Sequence, residues 1–289
     1  MASNTQTDNN TTSGRFDKIS LDKYNDFFIE EKGQKAIAQK DCLIIAKDYG
    51  LSPKEAEISL MEAGIVPLKY TGNVRTFGID GQIKILQANV AVIGCGGLGG
   101  SIVEMCARLG VGSLRLFDAD TFTEHNLNRQ LLCTEETYGL SKSLCAARRI
   151  KSINSSLDVK AHEIFFNDQA DISLLKGCDC VIDALDNAED RIFLSKACRT
   201  LNIPMVHGAI GDTMLQVLLV KPGDDMIEKV YSSSTQNIPR GNPVITPMIC
   251  ASLEVAELVK LLLQNGTPLE NELLFFNWLY NDFHIIPIS

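Results

Sequence analysis

Between residues 89 and 130 the apolar and polar positions change period twice. Val90–Ile93 is an unbroken apolar run, too short for a helix and closed by Gly94, which predicts a buried strand. Leu98, Ile102, Met105 or Cys106, and Leu109 then recur at helical spacing until Gly110 and Gly112 stop the helix. Leu114–Phe117 is a second strand with Asp118 at its end. Further along, the pattern predicts a helix from a Ser141 cap through Ile150 and Ile153, a strand over Val159–Phe166, and a buried strand over Val181–Leu185. A helix through Phe193, Ala197 and Leu201 follows, then strands over Pro204–Ile210 and Met214–Val220. An apolar helix carries Ile249, Leu253, Ala256 and Leu258–Leu263, and the chain closes in a hairpin, Leu273–Ile288, turning at Asn281-Asp282. Strands alternating with helices predict an α/β fold, a Rossmann-like doubly wound sheet.

The N-terminal part reads differently. Residues 1–16 are rich in Asn, Thr and Ser with little to bury, which predicts a disordered tail. Residues 17–66 read as a small helical appendage: Ile37, Ile44, Ile45 and Tyr49 mark one helix. Ser52-Pro53-Lys54-Glu55 starts another, carrying Ile58, Leu60 and Met61 before Gly64. Residues 67–289 form the nucleotide domain, entered through turn-like Thr71-Gly72-Asn73. The polar span Lys221–Gly241 reads as an irregular crossing loop.

Composition narrows the function classes. The 289 residues are 45% hydrophobic and 22% charged, ordinary for a soluble globular protein. A net charge of −9 gives no basic field for nucleic acid, and no apolar run is long enough to span a bilayer. With no signal-peptide pattern at the N-terminus, the cytoplasm is expected. The nine cysteines include no C-x-x-C spacing and read as buried free thiols rather than a zinc site; Cys178 and Cys180 form the one close pair.

The chemistry lies in the turns. Gly94, Gly96 and Gly99 form G-x-G-x-x-G after a strand, letting the backbone lie against a nucleotide's phosphates, with Asp118 at the distance of a ribose-binding carboxylate. This unit does not by itself choose between NAD and ATP. Asn126-Leu127-Asn128-Arg129-Gln130 makes the choice, since hydride transfer has no use for it. Lys142, in the first turn of a helix, opposes the helix dipole unless an anion is near, so phosphate ligand and solvated surface both stay open. Asp186 follows a buried strand at the carboxyl edge of the sheet, where it would hold Mg²⁺ on a triphosphate; alternatively Asp186 or Asn187 caps the next helix.

Together GCGGLG, the pair Asp118 and Asp120, NLNRQ, Gly139-Leu140-Ser141-Lys142 and DALDN resemble the ThiF/MoeB/HesA family over about residues 69–263. These relatives of ubiquitin-activating enzymes are adenylyltransferases acting on the C-terminal carboxylate of a β-grasp carrier protein of the ThiS/MoaD kind. The resemblance implies ATP with Mg²⁺ and a homodimer. It puts Gly97 and the glycine turn at the phosphates, Asp118 at the ribose, Asp120 among the cofactor-binding residues, and Asn126, Arg129, Gln130 and Lys142 around the phosphates. Asp186 would be the metal ligand, with Asn187 beside it.

Three departures accompany the resemblance. The two zinc-binding C-x-x-C pairs of many members are missing, and Lys221–Gly241 contains no cysteine for a covalent step. Where the family's leading segment has a second arginine reaching an ATP site, often the partner subunit's, this chain has Gly72; Arg75, three residues on, is either the candidate substitute or a solvent-facing arginine. The alternatives to an active adenylyltransferase are a non-catalytic scaffold of the same fold, a nicotinamide-dependent dehydrogenase, and a family relative that dehydrates a modified tRNA base.

Overall fold

In the computed structural model, which describes residues 21–231 and 241–288, the chain forms two units divided after Ile79. The polar tail expected over residues 1–16 lies outside the described residues.

The first unit begins with a tight hairpin. β1 (Phe28–Glu31) and β2 (Gln34–Ile37) are antiparallel, joined by Lys32 and Gly33, both at positive φ, the two-residue turn whose twist suits paired strands. Then come α1 (Gln39–Tyr49), ending on left-handed Gly50, and α2 (Pro53–Glu62). The predicted start of α2 is present in full, as a capping box between Ser52 and Glu55 with Pro53 in the first turn. β3 (Val66–Pro67) lies parallel to β2, and Tyr24, Ile37, Cys42, Ile45, Leu60 and Ile65 form a small core. Two expectations are corrected. The appendage contains a three-stranded sheet as well as helices, and Ile37 belongs to β2 rather than to the helix of Ile45. A spacing of eight residues between buried positions fits a helix face and an unrelated strand equally well.

α3 (Thr71–Gln87) bridges the two units and is broken at Gly78 (φ 73°, ψ 169°). Thr71-Gly72-Asn73 is therefore a helix start rather than a turn; residues that favour turns also suit a first helical turn, whose N–H groups have no helical acceptor to lose.

The second unit contains, in order, β4 (Asn89–Ile93), α4 (Gly97–Leu109), β5 (Ser113–Phe117), α5 (Lys142–Ile153), β6 (Asp158–His162), β7 (Cys180–Asp183), α6 (Ala188–Leu201), β8 (Met205–Gly211), β9 (Met214–Val220), α7 (Met226–Tyr231), α8 (Ile245–Leu263), β10 (Glu272–Asn277) and β11 (Asp282–Pro287). They build one eight-stranded sheet in the order β11-β10-β9-β8-β7-β4-β5-β6. β6, β5, β4, β7 and β8 are parallel, while β9, β10 and β11 are added antiparallel. Ala91 and Ile93 pack with Leu194 and Ala197 of α6 and Met226 and Ile227 of α7. The alternate residues Val90 and Val92 are fully buried on the opposite face, and α8 packs against α4, β8 and β9. Burial on both faces is why these strands read as continuous apolar runs.

Three further boundaries differ from the pattern. β6 ends at His162, so Glu163–Phe166 is loop, and β7 ends at Asp183 rather than Leu185. The crossing segment contains α7 in its described part; residues 232–240 lie outside the described residues. The terminal hairpin turns over Trp278–Asn281, with Asn281 at positive φ.

Candidate nucleotide site

Strand order decides where the site is. From β4 the chain moves one way to β5 and β6, then returns to the other side of β4 with β7, so the reversal lies between β4 and β7. Ligands of open α/β sheets sit in the crevice that such a reversal opens at the carboxyl ends of the strands. A cleft of about 360 Å³ occupies this place.

The glycines do different jobs here. Gly94 leaves β4 at φ 98°, and a Cβ on it would meet the Ala184 carbonyl oxygen at 2.6 Å. A Cβ on Gly99 would fall 1.9 Å from the Gly94 oxygen, so this pair brings the start of α4 against the ends of β4 and β7. Gly96 and Gly97 face the cleft instead, and a Cβ there would meet only side chains or an outer carbonyl at 3.5 Å or more. Of the glycine run, Gly94, Gly96 and Gly97 line the cleft, beside the start of a thirteen-residue helix whose dipole favours an anion.

Asp118 accepts hydrogen bonds from the Cys95 N–H (2.7 Å) and the Asp120 N–H (2.9 Å), which aims the carboxylate into the cleft. Burial pushes its pKa above the ordinary carboxylate value, partly offset by those two amides. Lys142 starts α5 and donates to Asp120 at 2.9 Å. The anion that its position called for is thus present within the chain, with the Lys142 side chain nearly buried and that of Asp120 exposed.

Arg129 reaches the cleft from the loop after β5. Its Nη1 donates to the His125 carbonyl and the Asn128 side chain at 3.1 and 3.0 Å, and among the described residues it has no carboxylate partner. Gln130 is buried against Gly96 with its side-chain oxygen lacking a hydrogen-bond partner among the described residues. Asn126 does not line the cleft; its side-chain oxygen accepts the Thr123 N–H at 3.0 Å and holds the loop in shape. Asp186 is exposed at the rim beyond β7. The cap of α6 is Asn187, whose oxygen accepts the Asp190 N–H at 2.9 Å, and Asn187 also lines the cleft. Arg75 is an exposed residue of α3 in the first unit and is not among the cleft's lining residues.

Two groups of residues escaped sequence reasoning. Ile164, Phe165 and Phe166 line the cleft because β6 ends early, and Phe165 is 62% exposed there. Beneath the rim, Asp183, Arg191, His207, Tyr231 and Glu254 form a buried polar cluster. The first Asp of DALDN was its only local sign.

The residues present fit a magnesium nucleotide. The Gln130 oxygen, which lacks a hydrogen-bond partner among the described residues, Arg129, which has no carboxylate partner among them, and the open Gly96-Gly97 backbone are concentrated on one side of the cleft. Asp186 offers the oxygen donor that Mg²⁺ prefers, and one carboxylate suffices when phosphates and water complete the shell. Among the described residues no cluster of three or more His, Cys, Asp or Glu could hold a metal ion on its own. All nine cysteines are free and buried, and burial raises the thiol pKa of Cys95, Cys178, Cys180 and Cys250. No helix among the described residues is long and apolar enough to cross a membrane.

Fold and cleft define a nucleotide-binding α/β enzyme. Residues 70–289 match the ThiF family, and the chain belongs to it; its enzyme class is that of an adenylyltransferase, which uses ATP. The SAMP-activating enzyme E1 of Haloferax volcanii is 30% identical over 216 residues, 73% of this chain and 80% of that protein. The sulfur carrier protein adenylyltransferase of Thermus thermophilus is 29% identical over 223 residues, 73% of this chain and 82% of that one. The adenylyltransferase and sulfurtransferase MOCS3 of Anopheles gambiae is 32% identical over 69% of this chain, which spans 47% of that relative's length. Among solved structures, Escherichia coli MccB with MccA-N7isoASN superposes with a TM-score of 0.70 at 22% identity, covering 77% of this chain and 72% of that one. MccB with ATP gives 0.68 at 22% identity over 76% and 71%. At that identity these two likenesses speak for the fold.

Proposed function

We propose that the protein adenylates the C-terminal Gly-Gly carboxylate of a ThiS/MoaD-like β-grasp carrier protein, acting as a cytoplasmic homodimer without zinc or a catalytic cysteine. The observation that carries this reading is the convergence of Arg129, Lys142 and Asp186 on one cleft at the strand reversal. The names of the Haloferax and Thermus relatives support the carrier as substrate class.

In this reading the carrier's carboxylate oxygen attacks the α-phosphorus of ATP, the bond to the β-phosphate bridge breaks, and pyrophosphate leaves with that electron pair. Asp118 holds the ribose and Phe165 covers the base. The Gly96-Gly97 backbone and Gln130 orient the phosphates. Arg129 supplies fixed positive charge where charge moves onto the leaving group, and Lys142 turns towards the phosphates from Asp120. Mg²⁺ at Asp186, when bound, neutralises charge on the triphosphate. Little covalent help is needed from the protein, which agrees with buried, high-pKa thiols.

The test is carrier-dependent ATP–pyrophosphate exchange with ThiS- and MoaD-like proteins bearing free Gly-Gly ends. Asp186→Ala should abolish exchange while leaving the melting temperature unchanged, because Asp186 is exposed. No exchange with any such carrier would leave the scaffold reading in possession.

A further inference from the structure

We propose that Arg191 and Tyr231 are positioning residues for Asp186, a role that rests on the magnesium–nucleotide reading above. Asp186 is an exposed side chain, yet the residues on both sides of it are held. Asn187 caps α6 through the Asp190 N–H and donates back to the Asp190 carboxylate at 2.8 Å. Leu185 is held through both of its backbone polar groups. Its N–H donates to Asp183 Oδ1 at 3.0 Å, and its carbonyl accepts from Arg191 Nη2 at 2.5 Å. One buried pair, Asp183 and Arg191, thus fixes the residue before Asp186.

The pair is held in turn by a directed chain of hydrogen bonds. Arg191 Nη1 donates to the Tyr231 hydroxyl oxygen at 2.6 Å, and the Tyr231 ring stands 5.4 Å from the guanidinium. The Tyr231 hydroxyl lies 3.2 Å from His207 Nε2, and His207 Nδ1 lies 2.6 Å from Asp183 Oδ2. With that Asp183 oxygen accepting, the imidazole carries its proton on Nδ1, and Nε2 is an acceptor facing both the Tyr231 hydroxyl and Gln216 Nε2, which is 3.4 Å away. The chain runs Arg191 to Tyr231 to His207 to Asp183 and closes on Arg191, whose Nε is 3.7 Å from Asp183. Arg191 also donates to the Gly208 carbonyl, so it cannot swing away without breaking contacts to α7, β8 and the loop after β7 together.

Stability alone is a weak reason for this arrangement, because a buried ion pair is often replaceable by apolar side chains of similar volume at little loss. What apolar side chains could not do is donate to the Leu185 carbonyl. Tyr231 comes from α7, 40 residues away, and so ties the crossing segment to the position of the metal-binding carboxylate.

Tyr231→Phe keeps the ring and removes only the hydroxyl. ATP affinity should be measured with and without Mg²⁺, together with amide hydrogen exchange over residues 184–188 and the melting temperature. The half-saturating Mg²⁺ concentration should rise about tenfold, as for other groups that orient a metal ligand. Exchange should quicken at Leu185 and Asp186 while metal-free ATP affinity stays put; the melting temperature falls by a few degrees, because Arg191 Nη1 loses its acceptor. Arg191→Met should act in the same direction and more strongly; if it fails to fold, Tyr231→Phe decides. An unchanged Mg²⁺ midpoint in Tyr231→Phe, with Asp186→Ala abolishing the Mg²⁺ effect, overturns the positioning role and leaves the nucleotide reading standing. A fall in metal-free affinity as large as the fall in Mg²⁺ response also overturns it, as the mark of a merely structural group. No Mg²⁺ effect in the parent protein removes the reading on which the proposal stands.

Discussion

Two glycines five residues apart make the sharpest stability test. In Gly99→Ala the new methyl carbon would sit 1.9 Å from the Gly94 carbonyl oxygen and 2.7 Å from its carbon. Ordinary contacts begin near 3.4 Å, so about 1.5 Å of separation has to be found between two pieces of backbone. Neither piece yields easily: Gly94 is tied to the Phe117 carbonyl by its N–H, and Gly99 lies within α4. Overpacking of this kind costs about 1–3 kcal/mol and more where backbone must move, against at most about 1 kcal/mol returned by the better helix former. A net loss of about 2 kcal/mol, at a urea slope of about 2 kcal/mol/M, lowers the unfolding midpoint by about 1 M. Gly97→Ala is the control, since its methyl would lie 3.6 Å from Pro247 and 3.8 Å from Arg129, and its midpoint should stay within about 0.2 M of the parent. Equal midpoints for the two variants would refute the argument that Gly99 exists for helix–strand approach and Gly97 for the ligand.

Burial holds the Glu254 carboxyl well above its ordinary pKa of 4.5. The folded chain then keeps a proton that the unfolded chain releases, so this residue's contribution is full below pH 4.5 and falls as pH rises, by up to about 1.4 kcal/mol per pH unit. Denaturant melts from pH 4.5 to 8 should show the parent losing stability relative to Glu254→Gln over that range, and parallel curves would count against it. Arg75 is exposed on α3 and does not line the cleft, so it replaces the family's arginine only if it acts in a partner subunit's site; otherwise it faces solvent. Arg75→Ala should lower adenylation about a hundredfold without changing stability, and mixing with Asp186→Ala should restore part of it in a homodimer. Turnover equal to the parent's would refute a role for Arg75.

The nucleotide unit was legible in the sequence because each of its signals is local. Val90–Ile93, the glycine turn, the helix stopped by Gly110 and the strand ending at Asp118 are set by steric limits and burial period within a few residues, and the structure reproduces them. The Ser52–Glu55 box and the Ser141 cap were readable for the same reason: donor and acceptor lie three residues apart. Strand ends were not readable, because a strand stops where its neighbour stops hydrogen-bonding, and the partner of β6 is β5, more than 40 residues earlier. The end of β6 at His162 is what frees Phe165 for the cleft. Lys142 looked like a cation in need of an anion, and only the fold supplied Asp120, 22 residues away. The same holds for the cluster beneath Asp186. Asp183, Arg191, His207 and Tyr231 come from β7, α6, β8 and α7 and carry no common spacing. They meet because β7 and β8 pair with Asp183 opposite His207, and because α6 and α7 bring Arg191 and Tyr231 to that pair, so packing rather than local preference decides which side chains share a dry interior.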